Sequence, residues 1–351
     1  MKFDFVIGNP PYQETQESDD IESSQKNFAP SVYNFFMDSA FEVSDRVELI
    51  HPARFLFKAG NTPKKWNEKM LSDKHFKVLY YEQNSEKIFP MLSSPLKGGI
   101  AITYRNANEN YGAIDAFTQY AAVNSVLQKV INQTGFISLT DIIYPRTSYR
   151  LSEKVHTDYP NAKGYLSKGH AYDMSSNIFE RLAFLFFDEV PKDSYEYIKI
   201  AGREDSKRVY KYIRRDYVVC INNTDSYKVL VPQANGSGLF GEAMSSTMIE
   251  GPNTGNTETF ISIGRFKSFA EAVSVQKYIS TKFARTLLSV LKVTQNGNKP
   301  VWKYVPLQDF TSDSDIDWSV SVAEIDKQLY KKYDLSPEEI EFIETHVKEM
   351  V

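Results

Sequence analysis

The four residues Asn9, Pro10, Pro11 and Tyr12 carry groups that could activate an amine attached to a purine ring. Such an amine is a poor nucleophile because its lone pair is delocalised into the ring. Two oxygen acceptors aimed at its hydrogens draw electron density back to the nitrogen. The Asn9 side chain offers one oxygen, and the Pro10 carbonyl offers another, which the consecutive prolines hold outward by fixing φ. Tyr12 adds a ring face for a base rotated out of a duplex.

A plain turn is the alternative explanation of this motif, since Asn and Pro favour turns. A turn does not, however, require the aromatic residue Tyr12 at the fourth position. In the chemical interpretation, a sulfonium methyl group nearby would complete an in-line transfer that depends mostly on positioning. No general base with a shifted pKa is needed. The motif therefore favours methylation of an amine.

The elements around the motif alternate in the way that is typical of an α/β fold. The apolar run Phe3–Ile7 predicts a strand that ends at Gly8. Further strands are predicted at Val47–Ile50, Phe76–Tyr81 and Gly99–Tyr104. Helices are expected to begin with Ser31 as an N-cap and with Thr62–Pro63, the second one ending near Leu71. The first helix would bury the face formed by Val32, Phe35, Phe36, Ala40 and Val43.

The chain changes character after about residue 115. Short β-like runs at Tyr217–Ile221, Lys228–Val231 and Phe260–Ile263 alternate with polar loops. Helices are predicted over Ala270–Leu291 and Glu324–Tyr333, and Ser336 with Glu339 forms the pattern of a capping box before a last helix. We therefore expect two domains, 1–115 and 116–351.

Composition excludes several classes of protein. The 351 residues are 42% hydrophobic and 25% charged, as in a folded globular protein. The single cysteine, Cys220, excludes an internal disulfide, and the five scattered histidines suggest no metal site. No apolar run is long enough for a membrane helix and the start does not resemble a signal peptide, so we expect a cytoplasmic protein.

The net charge of −4 is unevenly distributed. Residues 309–351 hold 12 acids and 4 lysines, which leaves 33 acids and 37 basic residues in 1–308. The body of the chain is therefore slightly basic and is followed by an acidic tail. This distribution permits binding to DNA without requiring it.

The segment FDFVIGNPPYQ resembles motif IV of the NPPY-type (gamma-class) adenine-N6 DNA methyltransferases of restriction-modification systems. The resemblance continues in family order through SVYNFFMDSAF, VELIHPARFLF and VLYYEQNSEKIFPMLSSPLKGGIAITYR, and later segments such as KVLVPQANGSG and KKYDLSPEEIEFIE are similar to the target-recognising part. It implies S-adenosylmethionine as methyl donor, catalytic roles for Asn9–Tyr12, and Phe89 stacking on the flipped adenine. It also implies the C-terminal half of a Rossmann-like class I methyltransferase sheet in 1–115 and a mixed α/β target-recognition domain in 116–351.

The departure from the family lies at the front, because only eight residues precede Asn9. The family places its glycine-rich cofactor motif before motif IV. We therefore expect the cofactor-binding half in a preceding segment or a separate subunit, and an isolated chain without activity. Gly236, Gly238 and Gly241 match G-x-G-x-x-G, but no acidic residue follows the preceding strand and no helix is evident after them. We interpret them as part of the recognition region.

The DNA-binding prediction concerns double-stranded DNA and two polar-basic regions. A basic run between 203 and 215 offers phosphate contacts or is merely a solvated face. Polar loops near 235 and 295 are a second candidate. The predicted DNA-binding residues are Arg203, Lys207, Arg208, Arg214, Arg215, Asn235, Ser237, Lys292, Gln295 and Asn296.

Two other functions remain open at this point. A protein-glutamine methyltransferase can also use NPPY, although such enzymes usually end soon after the motif. A DNA-specificity module with an inert catalytic relic is the non-enzymatic alternative. A linked nuclease is a further possibility in this family, but the chain shows no convincing cluster of nuclease carboxylates.

Overall fold

The computed structural model describes residues 3–13, 31–58, 61–90, 96 and 98–350. The chain divides into two compact units, Met1–Gln128 and Lys129–Val351. The division lies beyond the domain boundary expected near residue 115. The polar segment Gln13–Asn27 lies, from residue 14 onward, outside the described residues. Both units mix helices with β-structure; the described residues form one sheet in the first unit and three in the second.

The first unit is built on a four-stranded sheet. Its strands are β1 (Val6–Gly8), β2 (Arg46–Pro52), β3 (Phe76–Glu82) and β4 (Ile100–Asn106), in the order β1-β2-β4-β3. Strand β1 is parallel to β2, whereas β4 is antiparallel to β2 and β3. The helices are α1 (Tyr33–Val43), α2 (Lys64–Ser72) and α3 (Ala121–Ile131), in which the division between the units falls. All four predicted strands are present, with ends shifted by a few residues.

The two faces of this sheet differ in their burial. On one face Val47, Leu49 and Ala101 join a core cluster with residues of α1 and α2, including Met37 and Met70. This cluster buries the apolar stripe of each helix and supplies most of the stabilisation of the unit.

The opposite face of the sheet is bare along β1. Phe3, Phe5 and Ile7 point to it and are 55%, 44% and 73% exposed. Phe5 stacks against Tyr104 of β4, with ring centroids 6.2 Å apart. An α/β sheet normally carries helices on both faces, so this face is an apolar surface of the kind that marks an interaction site.

Helix α1 buries a different face from the predicted one. Tyr33, Asn34 and Met37 are buried, whereas Phe35 and Phe36 are 63% and 48% exposed. The prediction was wrong because hydrophobicity alone cannot distinguish two apolar stripes on one helix. The sheet selects the stripe that reaches the core.

The predicted start residues of the first two helices were also wrong. Val32 rather than Ser31 is the N-cap of α1, and Pro63 rather than Thr62 is the N-cap of α2. Neither helix has a side-chain cap. The Thr62 hydroxyl instead donates to the Asn67 side chain at 2.7 Å. These helices therefore depend on packing rather than on capping for their stability.

The second unit contains nine strands among its described residues. They are β5 (Ile143–Tyr144), β6 (Arg150–Leu151), β7 (Tyr197–Glu204), β8 (Lys207–Arg214), β9 (Val218–Val219), β10 (Tyr227–Pro232), β11 (Met248–Glu250), β12 (Thr254–Asn256) and β13 (Phe260–Phe266). They form sheets of order β11-β10-β13-β5, β12-β7-β8 and β6-β9. The predicted strands at Lys228–Val231 and Phe260–Ile263 are confirmed within β10 and β13. The run Tyr217–Ile221 gives only the short strand β9.

Helices complete this unit at α4 (Glu153–Asp158), α5 (Ile178–Arg181), α6 (Phe269–Ser280), α7 (Lys282–Ser289), α8 (Val322–Lys332) and α9 (Pro337–His346). The single helix predicted over 270–291 is in fact α6 and α7, because the chain is extended at Thr281, whose side chain accepts from the Ala284 amide and caps α7. The capping box of Ser336 and Glu339 is confirmed at the start of α9.

Helices long and apolar enough to cross a membrane are absent from the residues that the structure describes. Within the same residues, no group of three or more His, Cys, Asp or Glu side chains is arranged to hold a metal ion.

Candidate active site

The Asn9–Tyr12 loop follows the carboxyl end of β1 directly. Its far end is tied to the start of α1, because the Val32 amide donates to the Tyr12 carbonyl at 3.2 Å. Gln13 and Ser31 then form an antiparallel bridge. The motif is thus held between the end of a strand and the first turn of a helix, which fixes its backbone at one edge of the sheet.

The Tyr12 hydroxyl is enclosed by the protein. It is shielded from solvent and makes no hydrogen bond with a described residue. Burial raises the pKa of Tyr12 to about 12, and the neighbouring Asn9 side chain opposes this shift, although the two groups do not reach hydrogen-bonding geometry. The phenol is therefore neutral at physiological pH. Asn9 itself is exposed and Pro10 is half-buried, so the Asn9 amide oxygen is accessible to a ligand.

His51 lies near the carboxyl end of β2, the strand next to β1. It is fully buried, and burial lowers its pKa to about 4, with the Pro52 carbonyl opposing the shift. Because a carbonyl can only accept, Nδ1 carries the proton and donates to Pro52 at 3.1 Å. Nε2 then accepts from the Thr103 hydroxyl at 2.7 Å. His51 is consequently a neutral, fully bonded imidazole.

An aromatic stack joins His51 to the first turn of α1. The Tyr33 ring lies parallel to the imidazole, with centroids 5.7 Å apart, and meets Trp66 edge-on at 6.2 Å. Burial raises the pKa of Tyr33 to about 12, opposed by bonds to Thr62 and Ser31. Since Tyr33 follows Val32 in the chain, this rigid stack supports the residue to which the Asn9–Tyr12 loop is bonded.

Phe89 lies after a 3₁₀ turn formed by Ser85–Lys87. Its amide donates to the Ser85 carbonyl at 2.9 Å, and its side chain is half-buried. The structure does not bring the Phe89 and Tyr12 rings into stacking contact. Its predicted role in holding a base therefore stays a prediction.

A cavity of the first unit lies elsewhere. It has a volume of about 530 Å³ and runs along β3, lined by Val78, Tyr80, Ile114 and Phe117 among others. Strand β3 is at the opposite edge of the sheet from β1. This cavity is therefore at the far edge of the sheet from the strand that leads into the Asn9–Tyr12 loop.

The basic run predicted to bind DNA is part of a β-hairpin. Arg203, Lys207 and Arg208 lie at its exposed end. Arg203 and Arg208 each donate to a serine hydroxyl, those of Ser206 and Ser246.

Arg214 and Arg215, at the other end of the run, are engaged within the protein. Arg214 makes a two-pronged ion pair with Asp216 and lies 3.6 Å from the centre of the Tyr195 ring. Arg215 is paired with Asp225 at 2.6 Å. Strong ion pairs raise the pKa of both guanidinium groups. These two arginines hold neighbouring elements together, whereas the arginines at the hairpin end have no such partner among the described residues.

The second predicted region is brought together as a pair of crossed loops. The backbone amide of Asn235 donates to the backbone carbonyl of Gln295 at 2.8 Å. The side-chain oxygen of Asn296 accepts from the side-chain amide of Gln233 at 2.8 Å. Asn235 is buried, and its side-chain oxygen accepts from the Ser245 amide at 2.8 Å. Gln295 and Asn296 are exposed. The structure thus places these residues side by side.

Glu242 fills the glycine-rich loop of this region. Its carboxylate accepts from the amides of Ser237 and Gly238, at 2.7 and 2.8 Å, and pairs with the buried Lys292 at 2.7 Å. Burial acts to raise the pKa of Glu242, but Lys292 and the loop amides outweigh it and lower the pKa to about 2. The amides that would cradle a phosphate in a nucleotide-binding loop are thus bonded to an internal anion.

Residues 1–89 match the model of the family described as Eco57I restriction-modification methylase. A protein of Mycoplasma pneumoniae (strain ATCC 29342 / M129 / Subtype 1), described as an uncharacterized adenine-specific methylase, is 32% identical over 101 residues. These residues are 28% of this chain and 22% of the relative, so the chain spans only about a fifth of that protein. Both comparisons are thus with proteins described as methylases.

A solved structure, that of the type IIG restriction endonuclease BpuSI, has a TM-score of 0.32 and 10% sequence identity to the chain. The alignment covers 91% of this chain and 48% of that structure. A likeness of this strength does not define the fold.

Sequence reasoning missed one residue in each unit, His51 in the first and Glu242 in the second. His51 was counted only as one of several scattered histidines, although its place at the end of a buried strand could have indicated an internal role. No sequence pattern indicated a role for Glu242. Its carboxylate, five residues after Ser237, accepts from the Ser237 amide only because the loop turns back.

Proposed function

We propose that the chain forms part of an enzyme that methylates adenine N6 in DNA, of the NPPY type, with S-adenosylmethionine as the methyl donor. The observation that carries this proposal is the position of the Asn9–Tyr12 loop. It lies at the carboxyl end of a parallel strand, within the residues that match the methylase family. Ligands of open α/β sheets bind outside the carboxyl ends of the strands.

The sheet supports a Rossmann-like interpretation of the first unit. Strands β1 and β2 are parallel and are joined through α1, which gives a β-α-β unit. Strand β1 is an edge strand in the described sheet, with β2 as its neighbour. The Asn9–Tyr12 loop would then stand at the switch point, where a second half of the sheet would begin.

The residues of the loop have separate roles in this proposal. The Asn9 side-chain oxygen and the Pro10 carbonyl accept the two hydrogens of the adenine amine, which localises the lone pair on nitrogen. The Tyr12 ring offers a face to the flipped base. Held in this way, the amine nitrogen would accept the methyl group from the donor and would release its proton to solvent. Positioning supplies most of the acceleration.

S-adenosylmethionine supplies an electrophilic methyl group in such a reaction. The glycine-rich loop of the second unit does not fit this molecule, because Glu242 and Lys292 already fill it. The bare face of β1, with Phe3, Phe5 and Ile7, supports a different arrangement. We propose that a cofactor-binding half, on a preceding segment or another chain, covers this face and continues the sheet beside β1.

The second unit is proposed to recognise double-stranded DNA. The exposed arginines of the β7–β8 hairpin and the exposed Gln295 and Asn296 of the crossed loops support this role. A restriction nuclease linked to the methylase is compatible with the family match. The catalytic and recognition roles would then be divided between the two units.

The test is to map 6-methyladenine in genomic DNA from cells that carry the gene at its natural locus. Substituting Asn9→Ala should remove methylation at one sequence-defined set of adenines, because one acceptor of the amine is lost. The matched control is Asn61→Ala, which truncates another exposed asparagine of the same unit. DNA binding by the purified Asn9→Ala chain should stay close to that of the wild type.

Unchanged methylation in the Asn9→Ala strain would contradict the proposed role of the loop. Loss of methylation in both variants would indicate a general effect on folding. Methylation of a protein glutamine in place of adenine, detected by mass spectrometry, would favour the other NPPY chemistry.

A further inference from the structure

The hairpin formed by β7 and β8 is long, regular and closed by a two-residue turn. Eight residue pairs run from Tyr197↔Arg214 to Glu204↔Lys207. Asp205 and Ser206 form the turn, and both have positive φ, 47° and 64°. Positive φ at both central positions is typical of the type I′ turn, whose twist matches that of the strands. The hairpin therefore projects a two-stranded ribbon with a narrow tip.

The two faces of the ribbon have different surroundings. Ile198, Ile200 and Ile213 lie on one face and belong to the core of the second unit. Because side chains alternate along a strand, residues 203, 208 and 210 share the opposite face. Arg203, Arg208 and Tyr210 are all exposed there. The core face anchors the ribbon, while the other face presents cations and an aromatic ring to solvent.

Arg203 and Arg208 are directly opposite each other across the two strands. Like charges in this position destabilise a hairpin unless an anion lies between them. Each guanidinium donates to a hydroxyl group, at 3.3 Å for Ser206 and 3.0 Å for Ser246, and neither forms an ion pair with a described residue. Two cations are thus held together without a counter-charge of their own.

Nearby acids do not neutralise this pair. Glu204 is on the core side of the ribbon and pairs with Lys211 at 3.1 Å. Glu250 lies beside the same face as Arg208, but it is taken by Lys199 at 2.7 Å and by the Tyr210 hydroxyl. Asp205 stands in the turn itself. The arrangement fits an external polyanion.

We propose that the β7–β8 ribbon docks in the major groove of duplex DNA, with Arg203 and Arg208 on the face that meets the DNA. The major groove of regular B-DNA admits a two-stranded β-ribbon, whereas the narrower minor groove must be widened by deformation of the DNA to accept one. Paired guanidinium groups can bind phosphates or the acceptor edge of guanine. This inference rests on the proposed function, because it assigns the surface through which the second unit reaches DNA.

The experiment measures binding of the full chain to one mixed-sequence duplex in two forms. One form has ordinary cytosines, and the other carries glucosylated hydroxymethylcytosine, which fills the major groove. The wild type should bind the blocked duplex about tenfold more weakly or worse, as expected for the loss of a base or phosphate contact. The double variant Arg203→Gln/Arg208→Gln should bind ordinary DNA with a similar loss.

The decisive measurement is the binding of the double variant to the glucosylated duplex. If the ribbon occupies the major groove, the double variant should be nearly insensitive to glucosylation, and its salt slope should fall by about 1 to 2 because up to two phosphate contacts are lost. Arg265→Gln, an exposed arginine of β13, is the matched control and should behave as the wild type. Equal melting temperatures would show that both variants are folded.

Several outcomes would overturn the inference. Independent, multiplicative losses from the variant and the modification would place the arginines outside the major groove. A wild type that ignores glucosylation, or that binds neither duplex, would do the same. The genomic map of 6-methyladenine measures methylation and is independent of the binding experiment. A wrong assignment of the ribbon can therefore be distinguished from a wrong assignment of the methylation activity.

Discussion

Acid should destabilise the first unit through His51. The imidazole is fully buried, neutral and bonded at both nitrogens, to the Pro52 carbonyl and the Thr103 hydroxyl. Burial lowers its pKa from 6.5 to about 4. Between these two values the unfolded chain binds more protons than the folded chain. The contribution to stability is therefore complete above pH 6.5 and is lost as the pH falls toward 4.

The magnitude follows from the two pKa values. A shift of 2.5 units, from 6.5 to about 4, corresponds to about 3.4 kcal/mol when the pH lies below both values. At pH 4.5 most of this change has occurred, so the His51 contribution should be about 2.5 kcal/mol lower than at pH 7.5. Other acidic and basic groups also make the free energy of unfolding depend on pH. A variant at position 51 keeps those groups, so their contribution cancels in the comparison.

The assay compares urea unfolding of the wild type and His51→Gln at pH 7.5 and pH 4.5. Glutamine keeps a donor and an acceptor but does not titrate, so the variant should lose about 2.5 kcal/mol less on acidification. Tryptophan fluorescence follows the first unit through Trp66, which packs on Tyr33 and Phe55, and the second unit through Trp302 and Trp318. Hydrogen exchange of β2 and β4 peptides separates the first unit from the second. Equal pH dependence in the two proteins would refute the reasoning.

Three further predictions concern other parts of the chain. Ile7→Lys should reduce self-association of the purified chain in light scattering, because Ile7 is 73% exposed on the bare sheet face; a wild type that is already a monodisperse monomer would contradict this. Glu242→Gln leaves the buried ammonium of Lys292 without a counter-charge and should lower the free energy of unfolding of the second unit by about 3 kcal/mol in urea titrations. An unchanged midpoint would mean that the pair contributes nothing. Ser336→Ala removes the capping box of α9 and should cost about 1 kcal/mol by the same titration, whereas Ser336→Asp should restore most of it.

Features with a local cause could be predicted from the sequence. The strands of the first unit follow from short apolar runs, and the start of α9 follows from Ser336 and Glu339, whose mutual bonds need no distant residue. The Asn9–Tyr12 motif was recognisable because its residue types are rare in that combination.

Features that depend on distant partners could not be predicted. The buried stripe of α1 depends on which side the sheet occupies, so Phe35 and Phe36 were placed inward by mistake. The sequence does not show which arginines of the basic run form ion pairs. Asp225 pairs with Arg215, for example, only because the chain turns at β9. Composition gave the number of charges but not their pairing. The interruption between α6 and α7 at Thr281 likewise depends on how these two helices pack, which hydrophobic periodicity does not indicate.

Glu242 acts as a tethered ligand of its own glycine-rich loop. A carboxylate on the same short loop has an effective concentration in the millimolar range or above, so a free phosphate or nucleotide must outcompete it for the Ser237 and Gly238 amides. Because the pKa of Glu242 is about 2, this internal competitor stays ionised at every physiological pH. The loop is thereby insulated from the pool of small cellular anions.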